Sequence, residues 1–391
     1  MKLLPRVDLF YAVKCCPLMP VVRLLAALGI GFDCASQNEI ELVLSIGVDP
    51  SKIIYALPCK PATHLQLARK RNVALMTFDN EDELHKVKKY YPDARLVIRL
   101  RADETGAKLK MGNKFGCSMK RVDELLTVAK ELDLNVVGVS FFAGDDTDNS
   151  VSFLRNLDNC RKTFDIAASL GYDMKLLDIG GGFTGEDTKI EIFYKMATDI
   201  RNYLDEYFPP ESGIDIIAEP GRYFVDSAFS LATNIIGKNR TEGKMYAMLQ
   251  KMFLNYCFAD SCSYYVNESI YLSFWKNCIQ NGNYIPKILK KCRSEKLDQQ
   301  VMIYGTTCDG IDILTSNATL PELSLEDWII WDDMGAYTVL YKFGFNGVTT
   351  TKAFYFVNKE AWKRIQDSCQ NTKFLPSEVD SSASVPVQEV L

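Results

Sequence analysis

Histidine is nearly missing. The 391 residues hold two, His64 and His85. That removes most of the usual catalytic repertoire, because a Ser-His-Asp triad or a His-ligated metal would have to use one of them. Both lie in polar, helix-patterned stretches (PATHLQLARK and EDELHKVKKYY) that read as solvated faces, so no metal site is expected. An excess of positive charge is also missing. Lys and Arg number 45 against 50 Asp and Glu, a formal net charge of −5, which argues against a nucleic-acid partner. No apolar run reaches the roughly 18 residues of a membrane span. The opening MKLLPRVDLFYAVKCC has no uniform apolar stretch with a small-residue cleavage site, so no signal peptide is read. The twelve cysteines contain no CxxC pair. They read as buried or free thiols in a reducing compartment, with the cytoplasm as the expected location.

What is present is ample core-forming material, 47% hydrophobic and 24% charged, in a length that suggests two domains. The first part alternates short β-branched or aromatic runs with amphipathic helical stretches. Strands are expected at 9–14, 30–35, 53–57, 74–78, 95–100, 135–142, 175–179 and 215–219. Ser36-Gln-Asn-Glu39 opens one helix as a capping box, and Asn80 precedes another. Continuous apolar strands such as LVIRL and DIIAE suit a parallel sheet buried on both faces. These units point to a (β/α)8, TIM-like barrel over 1–228, with a doubly wound open sheet as the rival. Beyond it, CSYYVNESIYLSF, QQVMIYG, DWIIWDDMGAYTVLYKFGFNG and KAFYFV are strand-like. They suggest a mostly antiparallel β domain over 229–365. Residues 366–391 read as a flexible tail.

In such barrels the chemistry sits at the C-terminal ends of the strands. Those ends carry Lys14, Asp33, Arg99, Phe142-Ala-Gly144-Asp145, Gly180-Gly181-Gly182 and Glu219-Pro-Gly221-Arg222. Glycine-rich loops after the last two strands expose backbone N–H groups, and Arg222 offers a fork for phosphate oxygens. A phosphate site, a lysine and two carboxylates at one mouth suit pyridoxal 5'-phosphate. Lys14 would carry the aldehyde, for which partial desolvation lowers an amine's pKa. Glu219 would sit against the ring nitrogen. Each residue also has a bland reading: Lys14 snorkelling, the glycines marking tight turns, Glu39 acting as a helix cap, and EPGR forming a surface turn.

At PRVDLFYAVKCC, GFDCASQNEIELV, KFGCSMK, LLDIGGGFTG, IIAEPGRYFVDSAF, YGTTCDGID and DMGAYTV the chain resembles the eukaryotic ornithine decarboxylase family, which includes the antizyme inhibitors. The resemblance implies a pyridoxal phosphate barrel plus a β-sandwich-like domain, in a homodimer whose active sites are shared across the interface. It implies Lys14 as the Schiff-base lysine, with Asp33, Glu39 and Arg99 around the cofactor. Gly181, Gly182, Gly221, Arg222 and Tyr337 match its phosphate side, and Glu219 the ring nitrogen. Cys308 matches the group that protonates the carbon left by CO2, and Asp309 faces the substrate side chain.

Departures from that pattern matter. The family's ring-stacking histidine is Phe142, which keeps an aromatic face. A phosphate-binding serine is Asp145, which would repel the phosphate unless protonated or turned away. The second substrate-side aspartate aligns with Gln280, so ornithine loses a charge partner and preference shifts toward an uncharged amino acid such as leucine. Some N-terminal residues of the family pattern are not matched. Three readings follow: an amino-acid decarboxylase, a non-enzymatic antizyme-inhibitor-like regulator of polyamine metabolism, or a chain with neither activity. The basic stretch at 64–95 matches the region that docks on antizyme, making antizyme a candidate partner. Its bland reading is two solvated helix faces.

Overall fold

The computed structural model describes residues 3–242, 260–275, 284–289, 299–338, 345–348, 352–369 and 372–375. The chain divides into two compact units, Met1–Val225 with Tyr355–Ser377, and Asp226–Phe354 with Glu378–Leu391.

The first unit contains strands β1 (Val7–Ala12), β2 (Gly31–Cys34), β3 (Ile53–Tyr55), β4 (Leu75–Phe78), β5 (Arg95–Arg99), β6 (Ala107–Leu109), β7 (Asn135–Ser140), β8 (Asp145–Thr147), β9 (Leu176–Asp178) and β10 (Asp215–Ala218). Eight of them close a barrel in the order β1-β10-β9-β7-β5-β4-β3-β2, all parallel. β1 pairs on one side with β2 (Ala12 opposite Asp33) and on the other with β10 (Leu9 opposite Ala218), so no edge remains. That excludes the doubly wound alternative. All eight expected strands are present; β1 has the expected length but starts two residues earlier, and the other seven are somewhat shorter than the apolar runs that mark them. Phe10, Ile54, Leu75, Val97, Leu176 and Ile217 fill the interior, each such side chain contributing about 1.5–3 kcal/mol by leaving water. β6 and β8 stand outside the barrel as an antiparallel ribbon.

Helices α1 (Met19–Ala27), α2 (Gln37–Ser45), α3 (Ala62–Lys70), α4 (Glu81–Tyr90), α5 (Val122–Glu131), α6 (Val151–Ser169), α7 (Ile190–Tyr207) and α8 (Arg222–Val225) connect the strands. Local sequence sets their starts. Ser36 Oγ accepts from the Glu39 N–H and Asn80 Oδ1 from the Glu83 N–H. The Glu39 carboxylate accepts from Ala35 N–H at 2.6 Å, one residue before the Ser36 cap.

The second unit holds β11 (Leu231–Glu242), β12 (Asp260–Val266), β13 (Lys287–Ile288), β14 (Gln299–Tyr304), β15 (Ile313–Leu320) and β16 (Trp328–Trp331) in one sheet, ordered β13-β16-β11-β12-β14-β15. Only the β12–β14 pair is parallel among these pairings. Trp331, Tyr264, Phe274 and Ile329 anchor its core. The Trp331 indole N–H is satisfied by Thr233 Oγ1 at 2.9 Å.

One expected strand is absent: KAFYFV runs without a sheet partner, with Phe354 and Phe356 exposed. Its alternation of apolar residues resembles a strand, yet among the described residues no neighbouring strand supplies a ladder. The next segment forms a helix, α9 (Lys359–Ser368), capped by Asn358. It crosses the expected boundary at 365/366. A 3-10 turn at Thr372–Phe374 then packs on α1. The rest of the expected tail, from 376, lies outside the described residues.

Candidate active site

The C-terminal ends of the barrel strands converge on one cluster of charges. Lys14 follows β1 in a 3-10 turn, Val13–Cys15. This turn, rather than the strand continuing to residue 14, aims the amine across the mouth. Its ammonium is ion-paired with Asp33, whose side chain on β2 is 1% exposed while that of Lys14 is 41% exposed. Asp178 at the end of β9 is also buried, with Oδ1 accepting from the Gly180 N–H at 2.8 Å. Glu219 follows β10. One buried oxygen of each carboxyl, Asp33 Oδ1, Asp178 Oδ2 and Glu219 Oε1, lacks a hydrogen-bond donor.

The electrostatics follow from this crowding. Burial, with Asp33 nearby, raises Asp178 to about 7 despite the Gly180 N–H. Burial also pushes Glu219 well up, and Asp178 and Asp33 add to it. Burial opposes the charge on Lys14, but Asp33, Glu219 and Glu39 together outweigh it and hold the amine above its ordinary value. The expectation of a lowered lysine pKa is therefore corrected: in this state Lys14 is an ammonium, because desolvation is overcome by three carboxylates. Glu39 is itself raised by burial. Arg99, ending β5, lies over Phe115 and Phe142, its guanidinium carbon 5.5 and 5.9 Å from their ring centroids.

The residues after β7 and β10 hold a second arrangement. Arg222 and Asp145 are 3% and 8% exposed and form a bidentate pair, Nε to Oδ1 at 3.2 Å and Nη2 to Oδ2. The next residue, Asp146, turns the other way to Lys108 (2.5 Å) and Lys189 (3.0 Å). Burial works against that carboxylate, yet the two lysines hold it at about 2. Glycines 180–182 are packed against backbone. A Cβ on Gly181 would lie 2.5 Å from Glu219 O, and one on Gly182, whose φ is +93°, 2.1 Å from Gly144 O. Gly221 has Cys15 Cβ in the same position at 2.8 Å. Backbone oxygens at Gly181 and Gly182, and the Cys15 side chain at Gly221, thus stand where a Cβ would be, which is why these positions require glycine.

The second unit carries the remaining expected residues. Cys308 is exposed, and its Sγ donates to Asn346 Oδ1 at 3.2 Å. Asp309 accepts from the Tyr271 hydroxyl and, at 3.1 Å, from the Ile311 N–H. Tyr337 is half-buried with φ +60°. Gln280 lies outside the described residues. The histidines stand apart from these groups: His64 Nδ1 meets the Tyr55 hydroxyl at 3.1 Å, and His85 is exposed on α4. No group of three or more His, Cys, Asp or Glu side chains suited to a metal occurs among the described residues.

Residues 1–226 match the sequence pattern of pyridoxal-dependent decarboxylases, pyridoxal binding domain. The chain belongs to that family. Over 94% of its length it is 43% identical to antizyme inhibitor 2 of Xenopus laevis, spanning 79% of that protein. Over 93% it is 42% identical to ornithine decarboxylase of Rattus norvegicus, spanning 78% of that protein. The fold superimposes on Paramecium bursaria Chlorella virus arginine decarboxylase bound to agmatine with a TM-score of 0.82, 34% identity, and coverage of 89% of this chain and 90% of that one.

The family's cofactor, pyridoxal phosphate, can be tested against these residues. The ring-facing half of this decarboxylase barrel fits it. Lys14 stands beside Asp33 and Glu219, and Glu219 Oε1 is buried without a donor, which the single N–H of a protonated ring nitrogen would supply. The phosphate-facing half does not fit as folded, because the Asp145 carboxylate already occupies Arg222. Asp145, a residue that repels phosphate unless protonated or turned away, is here paired with Arg222.

Asp178 is a site residue that sequence reasoning missed. An acidic residue closing the apolar run KLLDIGGG was the available signal, obscured by the glycines after it. The Asp145–Arg222 pairing had no local signal, since 77 residues separate the partners.

Proposed function

We propose that the barrel mouth is the site of pyridoxal-phosphate-dependent decarboxylation of a small L-amino acid. The observation that carries this reading is Lys14 held by Asp33 among the buried carboxyls Asp178 and Glu219 at the C-terminal ends of the strands. In it, Lys14 is the amine for the cofactor's aldehyde. Asp33 would orient that amine, Glu219 would hold the ring nitrogen protonated, and Arg99 and Phe142 would line the ring. Cys308 and Asp309 act at the substrate side, contributed across a homodimer. With Gln280 in place of a carboxylate, the preferred substrate carries an uncharged side chain such as leucine rather than ornithine, since an unpaired desolvated ammonium costs about 2–5 kcal/mol. The site is cytoplasmic in this reading.

A second reading has support of its own. The filled Arg222 favours a regulator resembling antizyme inhibitors. The test is a titration with pyridoxal phosphate, borohydride reduction and peptide mass mapping, alongside CO2 release from a panel of amino acids. The expected result is a label on Lys14 that Lys14→Ala removes, with leucine turned over faster than ornithine. Turnover surviving in Lys14→Ala would overturn the assigned amine, and faster ornithine turnover the substrate. Absence of both label and turnover, with antizyme captured by the purified chain, would select the regulator.

A further inference from the structure

The pair between Arg222 and Asp145 is a built feature rather than a chance side-chain contact. Both groups are buried, and the guanidinium grips both carboxylate oxygens. The backbone that presents Asp145 is fixed on both sides. β8 pairs with β6, Asp145 standing opposite Leu109 and Thr147 opposite Ala107. The Thr147 N–H is bound by Gly182 O at 2.9 Å, which ties this strand to the glycine loop. Gly144 just before it has φ +93° and leaves no room for a side chain against Ala107 Cβ. Asp146, at φ +51°, then turns outward into a network with Lys108, Lys189 and Glu186. Two consecutive aspartates thus divide the work, one pinning the ribbon from outside and the other delivering an anion to the buried arginine.

We propose that Asp145 is an internal substitute for the cofactor's phosphate, so that this chain discriminates weakly between pyridoxal phosphate and unphosphorylated pyridoxal. The inference rests on reading the barrel mouth as the cofactor site. A bidentate guanidinium–carboxylate pair uses the same donor fork that a phosphate would take. An incoming phosphate must break that pair and then sit beside a displaced carboxylate of its own sign. Pyridoxal lacks the phosphate, meets no such competition, and still has Lys14 for its aldehyde and Glu219 for its ring. The carboxylate therefore lowers affinity selectively for the phosphorylated ligand.

The experiment titrates the full chain with pyridoxal phosphate and with pyridoxal, followed by absorbance, in the wild type, Asp145→Asn and Asp145→Ser. Thermal unfolding with and without inorganic phosphate gives a second readout that needs no aldehyde. The proposal expects wild-type affinities for the two aldehydes within about tenfold of each other. Both variants should gain at least about tenfold for pyridoxal phosphate and nothing for pyridoxal. Inorganic phosphate should raise the Tm of the variants and leave the wild type unmoved. Wild-type preference for pyridoxal phosphate of a hundredfold or more, unchanged in both variants, would overturn the proposal while leaving the cofactor site intact. If neither aldehyde bound any of the three proteins, yet phosphate stabilised the variants alone, the pairing of Asp145 with Arg222 would stand and the cofactor reading would fail.

Discussion

Asp178→Asn should remove a pH dependence that burial of carboxyls imposes on the folded protein. Asp178 is 1% exposed and titrates near 7, where an unfolded chain would release that proton near 4. Between those values the native state holds a proton that the unfolded state has lost. Stability therefore falls as pH rises through the window, by at most about 1.4 kcal/mol per pH unit per proton. Integrated from about 4 to 7, the contribution is on the order of 4 kcal/mol, with Glu219 shifted in the same direction. Asp146 works in reverse: its depressed value of about 2 stabilises above about 4 and is lost only as pH falls below that, outside the measured range. Urea unfolding of cofactor-free protein from pH 4.5 to 8 would measure the effect. Asparagine keeps an oxygen for the Gly180 N–H, so the substitution removes the proton site with little change of shape. The wild-type curve should fall steadily toward pH 7 and then flatten, and the Asp178→Asn curve should be distinctly flatter. Groups away from Asp178 titrate in both proteins and cancel in the difference; Glu219, which Asp178 helps to raise, is relaxed by the substitution and flattens the variant curve further. Parallel curves, or a wild type whose stability rises toward pH 7 relative to the variant, would refute the reasoning.

Two further outcomes follow from the glycine loop and its neighbour. Gly182→Ala should cost about 3 kcal/mol or more, because its φ of +93° is unsuited to alanine and the new Cβ meets Gly144 O at 2.1 Å. A loss under about 1 kcal/mol in urea unfolding would mean that the loop yields easily. Asp146→Asn keeps a residue type that tolerates φ +51° but removes the partner of Lys108 and Lys189. It should cost about 1–3 kcal/mol and speed amide exchange in β6 and β8. Unchanged protection at Ala107–Leu109 would show that the ribbon does not depend on that carboxylate.

Local chemistry was legible from the residues in order. Period and composition marked all eight barrel strands, and Ser36 and Asn80 announced their helices, because side-chain patterning and caps act within a few residues. Closure at the β1–β10 seam was an inference that only tertiary pairing decides. The positions of Lys14, Asp33, Glu219 and Arg222 at strand ends placed them at one mouth without any coordinates. KAFYFV shows the limit: alternation alone does not make a strand when no neighbour completes the ladder. The protonation of Lys14 was equally out of reach, since three carboxylates from other strands and helices reverse the sign that burial alone would give. Most decisive is Asp145. As a residue in a string it reads as a charge that repels phosphate, and its meaning changes once folding brings it onto Arg222. Sequence lays down which groups arrive at the mouth; pair energies depend on distance and burial, so which of them neutralise one another is settled only when the barrel closes.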